Sequence, residues 1–145
     1  MNMIPVVPYR QWTPYSCSAA VLSMVVRHLT KRRIPHPVKA TRCKPNGCPM
    51  DRLRSVLRKY GVSSKVIKPG IRAFRQQLDR GRLLVVDDNR TYVDSHVMVV
   101  NGHTRQRFWI VDPVIGLPTL RNCRRVARAC QEAFSVWRTD NGRHA

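Results

Sequence analysis

The sequence predicts an α+β fold on three observations. Residues 17–29 form an almost wholly apolar helical stretch, residues 50–60 and 71–78 carry amphipathic helical patterns, and residues 95–101 and 107–112 alternate as two strands of a hairpin. At 145 residues the chain is most simply a single domain, 1–145, large enough to bury a core without disulfide staples.

Taken in order, residues 1–10 carry Pro5 and Pro8 with Ile4, Val6 and Val7 between them and read as an extended strand or arm. A turn-like stretch, 13–16, then runs into the apolar helix 17–29, with Ser16 expected as its N-cap. Ala19, Ala20, Leu22, Met24, Val25 and Val26 leave it almost no polar face, so it should be buried. Thr30, Lys31, Arg32 and Arg33 make a basic end, and Pro35 and Pro37 prevent continuation. Residues 34–49 are expected as a loop. In the next helix Met50, Leu53, Leu57 and Tyr60 share a face, Arg52, Arg54, Arg58 and Lys59 point away, and Gly61 ends it. A short strand at 62–67 follows, then a helix opened by Pro69 and Gly70, with Ile71, Phe74 and Leu78 inward and Gly81 closing it. Residues 83–86 read as a central strand and 87–94 as a loop. The hairpin strands flank a turn at 101–105. Cys123, Val126, Ala127, Cys130 and Phe134 then fall at helical spacing, with Arg121, Arg124, Arg125 and Arg128 on the opposite stripe. Val136 and Trp137 precede a polar tail.

Charge is the second informative feature. The chain has 27 Lys plus Arg against 8 Asp plus Glu, a net +19, and only six of the basic residues are Lys. Such an excess costs self-repulsion and implies a polyanionic partner, nucleic acid or an acidic protein. The expected polyanion-binding residues are Arg52, Arg54 and Arg58 on one helix, and Arg121, Arg124, Arg125 and Arg128 on the other stripe. No stretch is long enough for a membrane span and none resembles a secretory signal, so the expectation is a soluble, cytoplasmic protein. Five unevenly spaced cysteines then read as thiols rather than a disulfide framework. Cys43, Cys48, Cys123 and Cys130 could make a four-thiolate zinc set, but the last two lie on a predicted core face, so no metal and no cofactor is expected.

Cys17 stands where the turn becomes the helix, and helix-start N–H groups favour thiolate over thiol. On that stretch alone Cys17 reads as readily as a small buried hydrophobe. A nucleophilic cysteine needs a base in reach and a group to orient it. His28 lies eleven residues along the same helix, roughly 16 Å away. His36, His103 and His144 fall in a loop, a hairpin tip and the tail, which leaves His96. A hairpin centred on Thr104 sets His96 opposite Asp112. The commoner reading of each alone is a satisfied strand histidine and a turn-starting aspartate before Pro113.

Gln11 six residues before Cys17, Ala20 after it, His96 opening the apolar run 97–100, and Asp112-Pro113 ending the next strand together resemble the papain-like cysteine peptidases. The pattern is most similar to the bacteriocin-processing (double-glycine leader) peptidase domain of ABC exporters and its stand-alone relatives. Weaker agreement extends through 53–61, 81–86, Phe134 and Trp137. The chain differs in having Ser16-Cys17-Ser18 where that family usually has Asp-Cys-Gly. The resemblance implies a papain-like α+β fold, with an N-terminal helical part packed on an antiparallel β-sheet. It also implies Cys17 as nucleophile, His96 as general base and acid, Asp112 as orienting residue, and the Gln11 side chain with the Cys17 N–H as oxyanion hole.

The expected function is a cysteine peptidase cleaving a peptide or isopeptide bond through a Cys17 thioester, or a related acyl transferase or deamidase. Its partners would be a protein or peptide substrate and a polyanion. The rival is a catalytically idle papain-like module that binds nucleic acid or acidic protein through its arginines. A zinc-stabilised nucleic-acid-binding module is a third reading.

Overall fold

Helix α1 spans Cys17–Thr30, and every residue from Cys17 to Val26 is buried, as its lack of a polar face requires. Leu22 and Met24 are fully enclosed, and each such side chain contributes about 1.5–3 kcal/mol of transfer free energy. Lys31 terminates the helix in the left-handed region at φ 64°, its N–H bonding to the Arg27 carbonyl. The structure, a computed structural model, describes residues 3–13, 16–42, 48–88 and 96–139. Cys43 and His144 lie outside the described residues, as do most of the loop expected at 87–94 and the positions 14 and 15 in the turn before Cys17.

Among the described residues four further helices and six strands follow. They are α2 (Pro37–Thr41), α3 (Met50–Lys59), β1 (Val62–Ile67), α4 (Ile71–Asp79), β2 (Leu83–Asp88), β3 (His96–His103), β4 (Arg107–Asp112), β5 (Leu117–Asn122), α5 (Cys123–Ala129) and β6 (Ala133–Arg138). The strands make one antiparallel sheet in the order β1-β6-β2-β3-β4-β5. Strand alternation gives the sheet two apolar faces. Val85, Val97, Val99 and Val111 join a core with α1 and α3, while Leu84, Val86, Met98, Val100 and Ile110 join a second with α4 and α5. The N-terminal helices therefore cover one face as expected, and α4 and α5 cover the other.

The structure corrects several sequence expectations. Residues 34–49 include the short helix α2, started by Pro37. β2 runs on through Asp87 and Asp88, both buried, where a loop was expected. β5 was missed because it is a half-buried edge strand containing Pro118, with neither alternation nor an apolar run to mark it.

The last helix does not reach Phe134. Asn122 caps α5 by accepting the N–H groups of Arg124 and Arg125, but the chain leaves helical geometry at Cys130. Asp87 Oδ1 then accepts the N–H groups of Gln131 (2.6 Å) and Glu132 (3.1 Å), turning the chain into β6. Phe134 thus faces the α1 side while Cys123, Val126 and Cys130 face the α4 side. Only Phe134's place in that spacing is a coincidence of numbering.

The hairpin also differs. β3 continues to His103, and the turn closes with the Thr104 N–H on the Arg107 carbonyl (2.8 Å), beyond the expected centre. That alone would pair Gly102 with Trp109 throughout and put His96 and Asp112 on opposite faces. A bulge between Val100 and Gly102 takes up one residue, so Val100 pairs with Ile110 and Val99 with Val111. The net slip from the expected register is two residues, and an even slip keeps each side chain on its face. The N-terminal arm secures the bulge: the Ile4 N–H donates to the Asn101 carbonyl (2.6 Å) and Asn101 Nδ2 to the Ile4 carbonyl (3.0 Å).

Candidate active site

His96 opens β3 and Asp112 closes β4. They are diagonal neighbours on one face rather than directly opposed, and diagonal side chains are still within mutual reach. His96 Nε2 lies 2.5 Å from Asp112 Oδ1, and both residues are buried. With Nε2 so engaged, Nδ1 is the ring nitrogen left for another partner.

That partner is Cys17, at the first position of α1 and buried. Burial pushes its thiol up, but hydrogen bonding to His96 and to the Val97 N–H, the charge of His96 and the Ser18 side chain together hold it below the ordinary thiol range. Burial likewise disfavours a charged His96, yet Asp112 and the Cys17 thiolate raise its pKa to about 9. Asp112 is held at about 2 against burial by His96, Arg121 and the Val114 N–H. A lowered thiol beside a raised imidazole favours a thiolate–imidazolium pair.

Ser16 precedes α1 but does not cap it. Its hydroxyl turns back to the Thr13 carbonyl (3.1 Å) and accepts the Thr13 N–H (2.8 Å). The first N–H groups of α1 are therefore not taken up by the expected cap.

Gln11 is anchored at the end of β4, its N–H on the Pro113 carbonyl (2.8 Å), immediately after Asp112. Its Nε2 donates to the Thr13 carbonyl (2.8 Å), which occupies one of the two amide protons. Gly116 makes this seat close. A Cβ there would stand 2.8 Å from Arg10 Cβ, and its φ of +73° also suits glycine. Trp12, the next residue, is 52% exposed and borders an apolar groove of about 580 Å³ with Tyr9, Ile34, Pro35 and Val38.

The residue that sequence reasoning misassigned is Arg121. It was expected on the basic stripe of a helix, yet it lies on β5. Its Nη2 bonds Asp112 Oδ2 at 2.8 Å and its Nη1 contacts Met98 Sδ at 3.2 Å. Asp112 thus has a donor on each oxygen: His96 and the Val114 N–H on Oδ1, Arg121 on Oδ2. A local signal existed only in that Arg121 falls before the cap Asn122; its reach to Asp112 follows from the β4–β5 pairing.

Of the other cysteines, Cys48 lies in the core on the α1 face and Cys123 and Cys130 on the opposite face. Among the described residues, then, Cys48 is not brought together with Cys123 and Cys130. Cys130 is pushed up to about 12 by burial and the neighbouring Asp87, which makes it a poor nucleophile. Arg124, Arg125 and Arg128 are exposed on α5, Arg58 is exposed on α3, and Arg52 and Arg54 are half-buried there.

The profile of the peptidase C39 family matches residues 6–123, a span that contains Gln11, Cys17, His96 and Asp112. The chain belongs to the peptidase C39 family. Among curated proteins none matches it by sequence. Solved structures similar to this C39 domain include a double-glycine motif protease from an AMS/PCAT transporter, determined in complex with the leader peptide. It is 17% identical with a TM-score of 0.73, over 93% of this chain and 91% of that one. The peptidase domain of Streptococcus ComA, a bifunctional ABC transporter, is 18% identical with a TM-score of 0.76, over 92% and 96%. A C39-like peptidase from Bacillus anthracis is 14% identical with a TM-score of 0.67, over 90% and 94%. The fold of this C39 domain is accordingly the papain-like one of helices on an antiparallel sheet. Among the described residues no helix is long and apolar enough to cross a membrane.

Proposed function

We propose that this C39 domain is a cysteine peptidase that cleaves a peptide or isopeptide bond through Cys17, His96 and Asp112. The observation that carries the reading is the buried chain of contacts from a lowered Cys17 thiol through His96 to Asp112. The Cys17 thiolate attacks the carbonyl carbon, and the charge that develops on oxygen is met by the Cys17 N–H and the second amide proton of Gln11. As the intermediate collapses, His96 gives its proton to the leaving amine and a thioester remains. His96 then takes a proton from water, which attacks the thioester, releases the acid and restores the thiolate–imidazolium pair. An amine in place of water makes the same site an acyl transferase, and a carboxamide substrate makes it a deamidase.

Asp112 orients the imidazole through Nε2, and Arg121 is a positioning residue that acts through Asp112. The substrate is a peptide, in keeping with the leader peptide bound by the similar AMS/PCAT protease. The apolar groove beside Trp12 suits an apolar side chain of that peptide. The arginine-rich surface engages a polyanion, in keeping with the net charge of +19.

The test is alkylation by iodoacetamide at about pH 6, read by peptide mass spectrometry. Cys17 is expected to react at least about tenfold faster than Cys48, Cys123 and Cys130, and to lose that advantage in His96→Ala and most of it in Asp112→Asn. Equal reactivity of the four thiols, or an unchanged Cys17 in His96→Ala, would overturn the reading in favour of an idle binding module.

A further inference from the structure

This chain has Ser18 where the C39 family usually has glycine, so a hydroxyl stands at the second position of α1, directly after the nucleophile. The hydroxyl is not on the surface, for Ser18 is only 1% exposed. A serine or threonine in a helix ordinarily satisfies its hydroxyl on a backbone carbonyl of the preceding turn. Thr30 does so at the other end of α1, donating to the Val26 carbonyl (2.7 Å). Ser16, just before the helix, both donates to and accepts from the Thr13 backbone. Ser18 Oγ does neither. It is out of reach of water and has no hydrogen-bond partner among the described residues, the one side-chain oxygen of α1 left in that state.

What stands beside it is the Cys17 sulfur. Hydrogen bonding by the Ser18 side chain is among the contacts that favour the thiolate there, with those of His96 and the Val97 N–H. The protonation state of the sulfur therefore decides whether the hydroxyl is paired. A thiol is a weak acceptor, and beside it the buried hydroxyl is orphaned at a cost in free energy. A thiolate is an ionised acceptor, and hydrogen bonds to ionised groups are roughly twice as strong as neutral ones. The orphan belongs to the thiol form and is relieved when the nucleophile ionises.

We propose that the Ser18 hydroxyl is a further catalytic group of this domain, donating a hydrogen bond to the Cys17 thiolate before attack and to the same sulfur as it leaves the thioester. The proposal rests on the reading of Cys17 as nucleophile and adds a donor that glycine cannot supply. In acylation the sulfur gives its electron pair to the carbonyl carbon, and as a neutral thioester it is again a weak acceptor. In deacylation water adds to the thioester carbon and passes its proton to His96. The carbon–sulfur bond then breaks, its electron pair returns to sulfur, and the Ser18 hydroxyl donates to the charge as it forms. The Val97 N–H, fixed in β3, is the other uncharged donor at that sulfur.

The test is the rate of iodoacetamide alkylation of Cys17 from about pH 3 to pH 10 in the wild type, Ser18→Ala and Ser18→Gly, read by peptide mass spectrometry with Cys48, Cys123 and Cys130 as references. Loss of the hydrogen bond should raise the acid midpoint of Cys17 by about one pH unit in both variants, which is about a tenfold slower reaction on the acid limb. The alkaline plateau should be equal or up to about threefold faster, because a thiolate with one donor fewer is more nucleophilic. A packing role would alter rates without moving the midpoint. Midpoints unmoved in both variants, with Cys17 still faster than the reference thiols, would overturn the role of Ser18 and leave the nucleophile standing. A wild-type Cys17 no faster than the references would overturn the nucleophile reading itself. Urea unfolding at about pH 7 gives a second measurement that does not depend on alkylation. Ser18→Ala should lower the urea midpoint when Cys17 is present, and should leave it unchanged or raise it in Cys17→Ala, where no thiolate remains to accept the hydroxyl. The same change in both backgrounds would overturn the proposal.

Discussion

Arg121→Gln separates an electrostatic role for Arg121 from simple packing. In the folded protein its guanidinium stands 2.8 Å from Asp112 Oδ2; the carboxylate is 4% exposed and the arginine side chain 29%. A hydrogen bond to a charged group contributes about 1.5–3 kcal/mol, and partial exposure of Arg121 favours the lower end. The expected loss at neutral pH is therefore about 1.5–2 kcal/mol. That loss should depend on pH in a defined way. Asp112 is held at about 2, below its unfolded value near 4, so its contribution is fully present above about pH 4 and vanishes as the pH falls through 2. Without Arg121 the folded value rises toward the unfolded one and the contribution shrinks. The difference between variant and wild type should be largest above about pH 4 and close toward zero below it. Urea unfolding at intervals from about pH 7 to pH 2.5 reads this directly. A difference that stays constant across the range would mean that Arg121 acts by packing alone, and no difference at neutral pH would remove its role altogether. Arg121→Lys, which keeps the charge but not the fork, should recover part of the loss at neutral pH.

Two other outcomes follow from the same geometry. His96 is raised to about 9, so its contribution to stability is present below its unfolded value near 6.5 and is lost as the pH rises through 9. Unfolding midpoints should therefore fall between about pH 7 and 9 in the wild type and less so in His96→Ala; parallel curves would contradict the raised value. Gly116→Ala combines a strained φ of +73° with a Cβ 2.8 Å from Arg10 Cβ. It should cost about 1–2 kcal/mol in urea unfolding while leaving Cys17 alkylation within about twofold of wild type, because it displaces the arm and not the thiol. An unchanged urea midpoint would show that the arm yields freely.

Much of the fold was legible in the sequence because it is carried by local pattern. The almost wholly apolar run of α1 calls for burial, and Cys17 stands at its first position. The inward faces of α3 and α4, Met50, Leu53 and Leu57 and then Phe74 and Leu78, follow from 3.6-residue spacing, and Gly61 and Gly81 both end their helices at positive φ. Alternation placed His96, Met98 and Val100 on one face of β3, and Asp112 at the end of the strand that returns.

What only the tertiary structure decided is where those pieces meet. The approach of His96 to Asp112 depends on a late turn and a bulge at Asn101, each an odd slip that alone would part them and together do not. The bulge is held by Ile4, nearly a hundred residues earlier, and no local pattern encodes that bond. The helical period at Val126 and Cys130 ran on to Phe134 in the sequence, and Asp87 from another strand ended it. Arg121 looked like one more surface charge because charge counts carry no direction. Its place against a buried carboxylate comes from the pairing of an edge strand, and pairing is a long-range choice that sequence period leaves open.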